Sequence, residues 1–152
     1  MTDERSRLER EFSGGVAPLY QLWRTAANDA ISAEAGLSHT LAWPLVVLRQ
    51  AARPVKQNEL AARLALEKST VARLVEQLVR DGYVSRQQDL DDRRAKIVAL
   101  TQKGQVWAEK LEPLVARFRS SSMASIDDEE LKVCISVFTR LRAVLDVPEL
   151  EH

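Results

Sequence analysis

Apolar side chains recur at spacings of three and four along most of this chain, and only between residues 83 and 100 does the pattern shift to short alternating runs. In the first segment, from about Arg7 to Glu34, Leu8, Phe12, Val16, Leu19, Trp23, Ala27, Ala30 and Ile31 share one helical face, with Gly14-Gly15 and Pro18 as expected points of interruption. A second segment follows Ala35-Gly36 and runs to Ala52, with Leu41, Leu45 and Leu48 on one side, Trp43 and Val47 beside them, and Arg53-Pro54 ending it. Pro44 lacks an amide hydrogen and disfavours helical geometry at Trp43, which predicts a kink or a restart there. Two shorter helices come next. Lys56 to Leu64 turns Leu60, Ala61 and Leu64 inward, and Lys68 to Arg80 does the same with Val71, Leu74, Val75 and Leu78; a tight turn at Ala65-Leu66-Glu67 joins them. Asp81-Gly82 ends the second, since glycine accepts the left-handed cap at little cost.

Tyr83 to Gln87 and Ala95 to Leu100 read as the two strands of a hairpin, closed by a tip at residues 89 to 94 that is too polar to be buried. Thr101 then caps a helix carrying Val106, Trp107, Leu111, Leu114, Val115 and Phe118, which Pro113 should bend and Ser120-Ser121-Ser122 should end. Asp127 and Glu130 have the spacing of a capping box. They open a last helix whose stripe is Leu131, Cys134, Ile135, Phe138, Leu141 and Leu145, up to Pro148. The predicted fold class is mainly α with one small β-hairpin.

The second short helix turns Ser69, Thr70, Arg73, Gln77 and Arg80 away from its apolar stripe, with Lys68 at its start. Hydroxyl, amide and guanidinium groups in such a row can reach phosphates and base edges in a major groove. The hairpin carries Arg93 and Arg94 at its tip, with Lys96 beside them, and suits a minor groove, where negative potential concentrates. Asp92, two residues before Arg94, is placed to hold that guanidinium and the loop backbone, lowering the ordering cost of binding. Helix, turn, helix and basic wing thus appear in the order of a winged helix-turn-helix.

These runs resemble one family closely. Gln57-x-Glu59-Leu60-Ala61, then Glu67-Lys68-Ser69-Thr70-Val71-x-Arg73-Leu74-Val75, then Asp92-Arg93-Arg94-Ala95-Lys96 and Leu100-Thr101-x-x-Gly104 are similar to the MarR family of bacterial transcription regulators, over residues 37 to 101. The resemblance implies a homodimer on double-stranded DNA, with recognition helices in successive major grooves, wings in the flanking minor grooves, and Gln57 among the DNA-side residues. It divides the chain into a DNA-binding region at 37–101 and a dimerisation region built from 1–36 and 102–148. Two positions depart from the family: Lys56 stands where a hydroxyl residue often caps the first short helix, and Ala65 where a turn glycine is common.

Related regulators often bind phenolic or aromatic carboxylate effectors near the junction of these regions. Trp23 and Trp43 could wall such a site, and His39 and Arg24 could meet a carboxylate; the alternative is that both tryptophans are plain core and His39 caps a helix at the surface.

Charge changes this picture only in part. Lys and Arg number 22, as do Asp and Glu, so the net charge is zero. Between 56 and 96 the cations Lys56, Arg63, Lys68, Arg73, Arg80, Arg86, Arg93, Arg94 and Lys96 outnumber Glu59, Glu67, Glu76, Asp81, Asp89, Asp91 and Asp92 by two. Placement therefore carries the DNA reading, with Glu59 and Glu76 expected to face elsewhere. At 152 residues the chain fits one subunit. Its charged N-terminus and lack of a long apolar run lead to the expectation of a cytoplasmic, membrane-free protein. No cofactor or metal site is expected, since Cys134, His39 and His152 show no ligand spacing. An enzyme is disfavoured: His39 is the only internal histidine and no glycine-rich phosphate loop occurs. The alternatives that stay open are a winged-helix module that binds protein, and a redox sensor acting through Cys134, whose place in an apolar stripe reads first as buried packing.

Overall fold

The computed structural model describes residues 2–146, and of Thr2 and His39 the backbone alone. Pro148, the expected end of the last stripe, lies outside the described residues, as do the His39 side chain and His152. The elements are α1 (Thr2–Ala35), α2 (His39–Ala51), β1 (Val55–Lys56), α3 (Gln57–Leu64), α4 (Lys68–Arg80), β2 (Val84–Gln88), β3 (Lys96–Leu100), α5 (Gln102–Ser122) and α6 (Asp128–Leu145). They fall into two compact units, one ending at Phe118 and the other beginning at Arg119. Among the described residues no single helix is long and apolar enough to cross a membrane.

The first unit has one core. Ile31 of α1, Leu45 of α2, Leu60 of α3, Val71, Val75 and Leu78 of α4, Val98 of β3 and Leu111 of α5 are all removed from solvent. The inward residues of α3 and α4 are those the periodicity marks, because a helix turning every 3.6 residues must place Val71, Leu74, Val75 and Leu78 on one stripe. Neither helix has a side-chain cap, at Lys56 or at Glu67, so packing rather than local capping holds them. The turn between them is closed by Ala65 in the left-handed conformation (φ 52°, ψ 45°), where Leu66 N donates to Ala61 O at 3.1 Å. A family glycine would sit here without strain; the alanine adopts the same geometry at some cost.

The sheet has three strands rather than the two of a bare hairpin, in the order β1-β3-β2 and antiparallel throughout. Val55 pairs with Val98 and Lys56 with Ile97, so Lys56 belongs to a strand and α3 begins one residue later than expected. A two-residue strand has no periodicity to detect. The hairpin strands lie one residue downstream of expectation at their starts, in the register Val84 to Leu100 and Gln88 to Lys96.

Expected interruptions of the helices do not occur as breaks in the helical run. α1 is continuous through Gly14-Gly15 and Pro18, α2 through Pro44, and α5 through Pro113 and Ser120-Ser121-Ser122. The break before α6 falls at residues 123–127 instead. Pro44 is tolerated because its ring is buried, so its packing offsets the missing backbone hydrogen bond. The start of α6 is as expected: Glu130 N donates to Asp127 Oδ1 at 2.8 Å and Asp127 N to Glu130 Oε2 at 3.0 Å.

The wing is bolted to α5 by two residues. Thr101 Oγ1 donates to Gly82 O at 2.5 Å and accepts from Gly104 N at 3.1 Å, capping α5 as expected. Gly104 lies so close to Tyr83 that a Cβ would stand 1.9 Å from the Tyr83 carbonyl oxygen.

Candidate nucleic-acid interface

The exposed side of α4 is set by what its other side buries. Lys68, Ser69, Thr70, Arg73, Gln77 and Arg80 are all exposed, as the sequence requires. Because Glu67 makes no side-chain cap, the first amides of α4 stay free to donate to a phosphate beside Ser69 and Thr70. Glu76 contradicts expectation. It is exposed, and it lies three residues after Arg73 and four before Arg80, which places it on the same face. A carboxylate there repels phosphate and can accept a hydrogen bond from cytosine N4. Glu59 does face elsewhere: Arg53 Nη2 reaches its Oε1 at 2.7 Å and Arg63 Nη2 at 3.0 Å. Hydrogen bonding from Arg53 is the largest cause holding the Glu59 carboxyl below the ordinary glutamate range.

The cations of the unit differ in their pairing, and Arg24 and Arg86, outside the α4 row and the wing tip, also lack an ion-pair partner among the described residues. Arg49, Arg53 and Arg63 are matched to carboxylates, whereas Lys68, Arg73, Arg80, Arg93, Arg94 and Lys96 have no ion-pair partner among the described residues. Such cations can replace counterions at phosphates without first breaking an ion pair.

In the wing, Asp92 does not hold the Arg94 guanidinium. Its Oδ1 accepts from the Arg94 backbone N–H at 3.0 Å, which fixes the loop, and the Arg94 side chain has no ion-pair partner among the described residues. Gln88 Nε2 donates to Arg93 O at 2.5 Å and Ala95 N to Asp92 O at 3.0 Å, so the tip is pinned by the end of β2 and by a bond within the loop. The residue sequence reasoning missed is Asp89. It is buried, 6% exposed, where the whole tip was expected to be solvated. Its Oδ1 accepts from Asp91 N at 2.9 Å and its Oδ2 lies 3.6 Å from Lys56 Nζ, tying the wing to β1. The available signal was an aspartate two residues before an amide in a turn. Gln57 is the one expected DNA-side residue that does not turn outward: it is half-buried, with Oε1 enclosed and without a hydrogen-bond partner among the described residues.

Trp23, Arg24 and Trp43 come together. They line a cavity of about 280 Å³ between α1, α2 and the end of α3, with Tyr20, Thr40, Pro44, Arg63, Leu64 and Leu66 among its walls. Trp23 is set by an edge-on contact with Phe118, ring centres 4.9 Å apart. Tyr20 reaches across the wall, its hydroxyl donating to Leu64 O at 3.4 Å, next to the left-handed Ala65. Arg24 has no ion-pair partner among the described residues.

A buried helix-turn-helix, an outward polar row and a pinned basic hairpin define a winged helix-turn-helix of the DNA-binding class. The MarR family model matches residues 45–96. The transcriptional regulator PA3341 is similar at 32% identity, covering 89% of this chain and 98% of that one, with a TM-score of 0.76. A MarR transcriptional regulator from Methanosarcina mazei Go1 is 27% identical over 90% of this chain and 98% of its own, with a TM-score of 0.68. A MarR-family regulator from Rhodococcus sp. RHA1, 24% identical over 90% of this chain and 94% of its own, shares the fold at a TM-score of 0.68. The chain belongs to the MarR family, whose fold serves DNA-binding transcription regulation.

Proposed function

We propose that this protein is a cytoplasmic, sequence-specific repressor that acts as a homodimer by binding rather than by catalysis. The observation that carries the reading is the set of cations on the exposed side of α4 and on the pinned wing that have no ion-pair partner among the described residues. Residues 37–101 would present this surface. Residues 1–36 and 102–148 would join two copies, because α1 leaves Leu8, Phe12, Val16, Leu19 and Leu22 exposed and α6 leaves Val133, Ile135, Phe138 and Val144 exposed. Two-fold symmetry then asks for a pseudo-palindromic operator with half-site centres about one helical turn apart, and occupancy there blocks polymerase.

Selection of bound duplexes from a random pool tests this. A palindromic consensus is expected, and a pool with nothing enriched overturns the reading. On the selected duplex, Arg73→Ala should cost about 1–3 kcal/mol and relax base preference. Arg94→Ala should weaken all sequences and flatten the salt dependence by about one unit per wing.

The cavity supports a ligand response. Tryptophan walls and the Arg24 guanidinium suit a small aromatic or phenolic acid. Such a ligand would press on Leu64 at the end of α3 and on Leu66 within the α3–α4 turn, and compete with the Tyr20 contact that helps hold it. Salicylate-like acids should quench the fluorescence of Trp23 and Trp43 and release DNA; a panel that does neither removes the effector from the account.

A further inference from the structure

Leu90 is 99% exposed at the tip of the wing. Among the described residues, every other large apolar side chain as exposed as Phe12, at 48%, lies on α1 or α6. A second copy would cover those helices, which leaves Leu90 unexplained by dimerisation. Its backbone is held rather than loose. Asp89 N donates to Ala95 O at 2.9 Å before it, and Asp91 N donates to the buried Asp89 carboxylate at 2.9 Å after it.

The tip holds Asp89, Asp91 and Asp92 against Arg93 and Arg94, and only Lys96 at the start of β3 brings the sum to zero. Such a loop is poorly built to grip DNA by net charge alone. What it adds is a leucine carried out on a fixed stem beside two unpaired arginines. The minor groove offers apolar walls of deoxyribose C–H groups, and proteins that enter it frequently use leucine-sized wedges.

We propose that Leu90 is a contact residue of the wing, seated against the sugar walls of the minor groove next to Arg94 and supplying affinity that does not depend on salt. The proposal rests on the DNA-binding reading above. It is tested with Leu90→Ser and Leu90→Met on the duplex that the wild-type protein selects. Affinity is read by fluorescence anisotropy across a range of salt concentrations, with thermal unfolding of the same samples.

Leu90→Ser should bind about tenfold more weakly at every salt concentration, on a line parallel to wild type, because the lost contact is apolar and releases no counterions. Leu90→Met should bind like wild type, and neither variant should change the melting temperature, since the side chain is exposed in the free subunit. Leu90→Ser binding as tightly as wild type overturns the proposal. So does an altered salt slope, which would mean the arginines had moved, or a lowered melting temperature, which would mean a structural role. A wild-type protein that selects no duplex removes the DNA-binding reading and this contact with it. Bound DNA with an indifferent Leu90→Ser removes the contact alone.

Discussion

α4 and α6 carry the same kind of apolar stripe and use it in opposite ways. α4 buries Val71, Leu74, Val75 and Leu78 completely or nearly so, whereas α6 buries none of its residues and leaves Phe138 58% exposed. Their ends differ in the complementary sense. α6 opens with a full capping box and α4 with no side-chain cap. A helix packed into a core is held by burial and can leave its first amides for a ligand; a helix without such burial depends on local capping until something covers it. A period of 3.6 therefore says which residues share a face, not what that face meets.

Charging the open stripe of α6 should have the largest effect. Ile135→Glu combined with Phe138→Glu should leave helical content unchanged by circular dichroism. It should convert a dimer to monomers in sedimentation and weaken operator binding by about a hundredfold or more, since two buried carboxylates per copy have no partner to meet. A variant that stays dimeric shows that α6 is not a partner surface.

Next in size is the joint between wing and α5. Gly104→Ala forces a methyl into the Tyr83 carbonyl and should cost about 2–3 kcal/mol in a denaturant melt. An unchanged midpoint would mean that the wing is not fixed to the unit in the way α4 is. The smallest effect concerns the turn that aims α4. Ala65→Gly should stabilise the subunit by roughly 0.5–1 kcal/mol through relief of the left-handed alanine. A loss of stability instead would show that chain entropy outweighs strain at that turn.

Much of the proposed DNA-facing region was legible because its physics is local. The inward stripe of α4 leaves Ser69, Thr70, Arg73, Gln77 and Arg80 no side but the outer one, and Asp81-Gly82 ends the helix as a glycine stop should. Glu76 was equally local and should have been placed with Arg73 and Arg80 by counting turns. The turn at Asp89 was local, but the burial of Asp89, β1 and the inward Gln57 were not legible, since each depends on a partner distant in sequence: Asp89 on Lys56, β1 on β3, and Gln57 on the packing around the start of α3. The uninterrupted α1, α2 and α5 belong to the same class. Proline and glycine raise the cost of a helix locally, and only tertiary packing says whether that cost is met.

By itself the sequence determined the periodicities, the caps at Thr101 and Asp127, and the row of donors on α4, because these follow from spacing and side-chain chemistry over a few residues. Tertiary structure alone decided that the Asp89 carboxylate is buried beside Lys56 of β1, and that Trp23, Arg24 and Trp43 line one cavity with Leu64 and Leu66. The physical reason is that hydrogen-bond partners and cavity walls are set by where separate segments meet, at a resolution of a few tenths of an ångström, and no local pattern carries that distance.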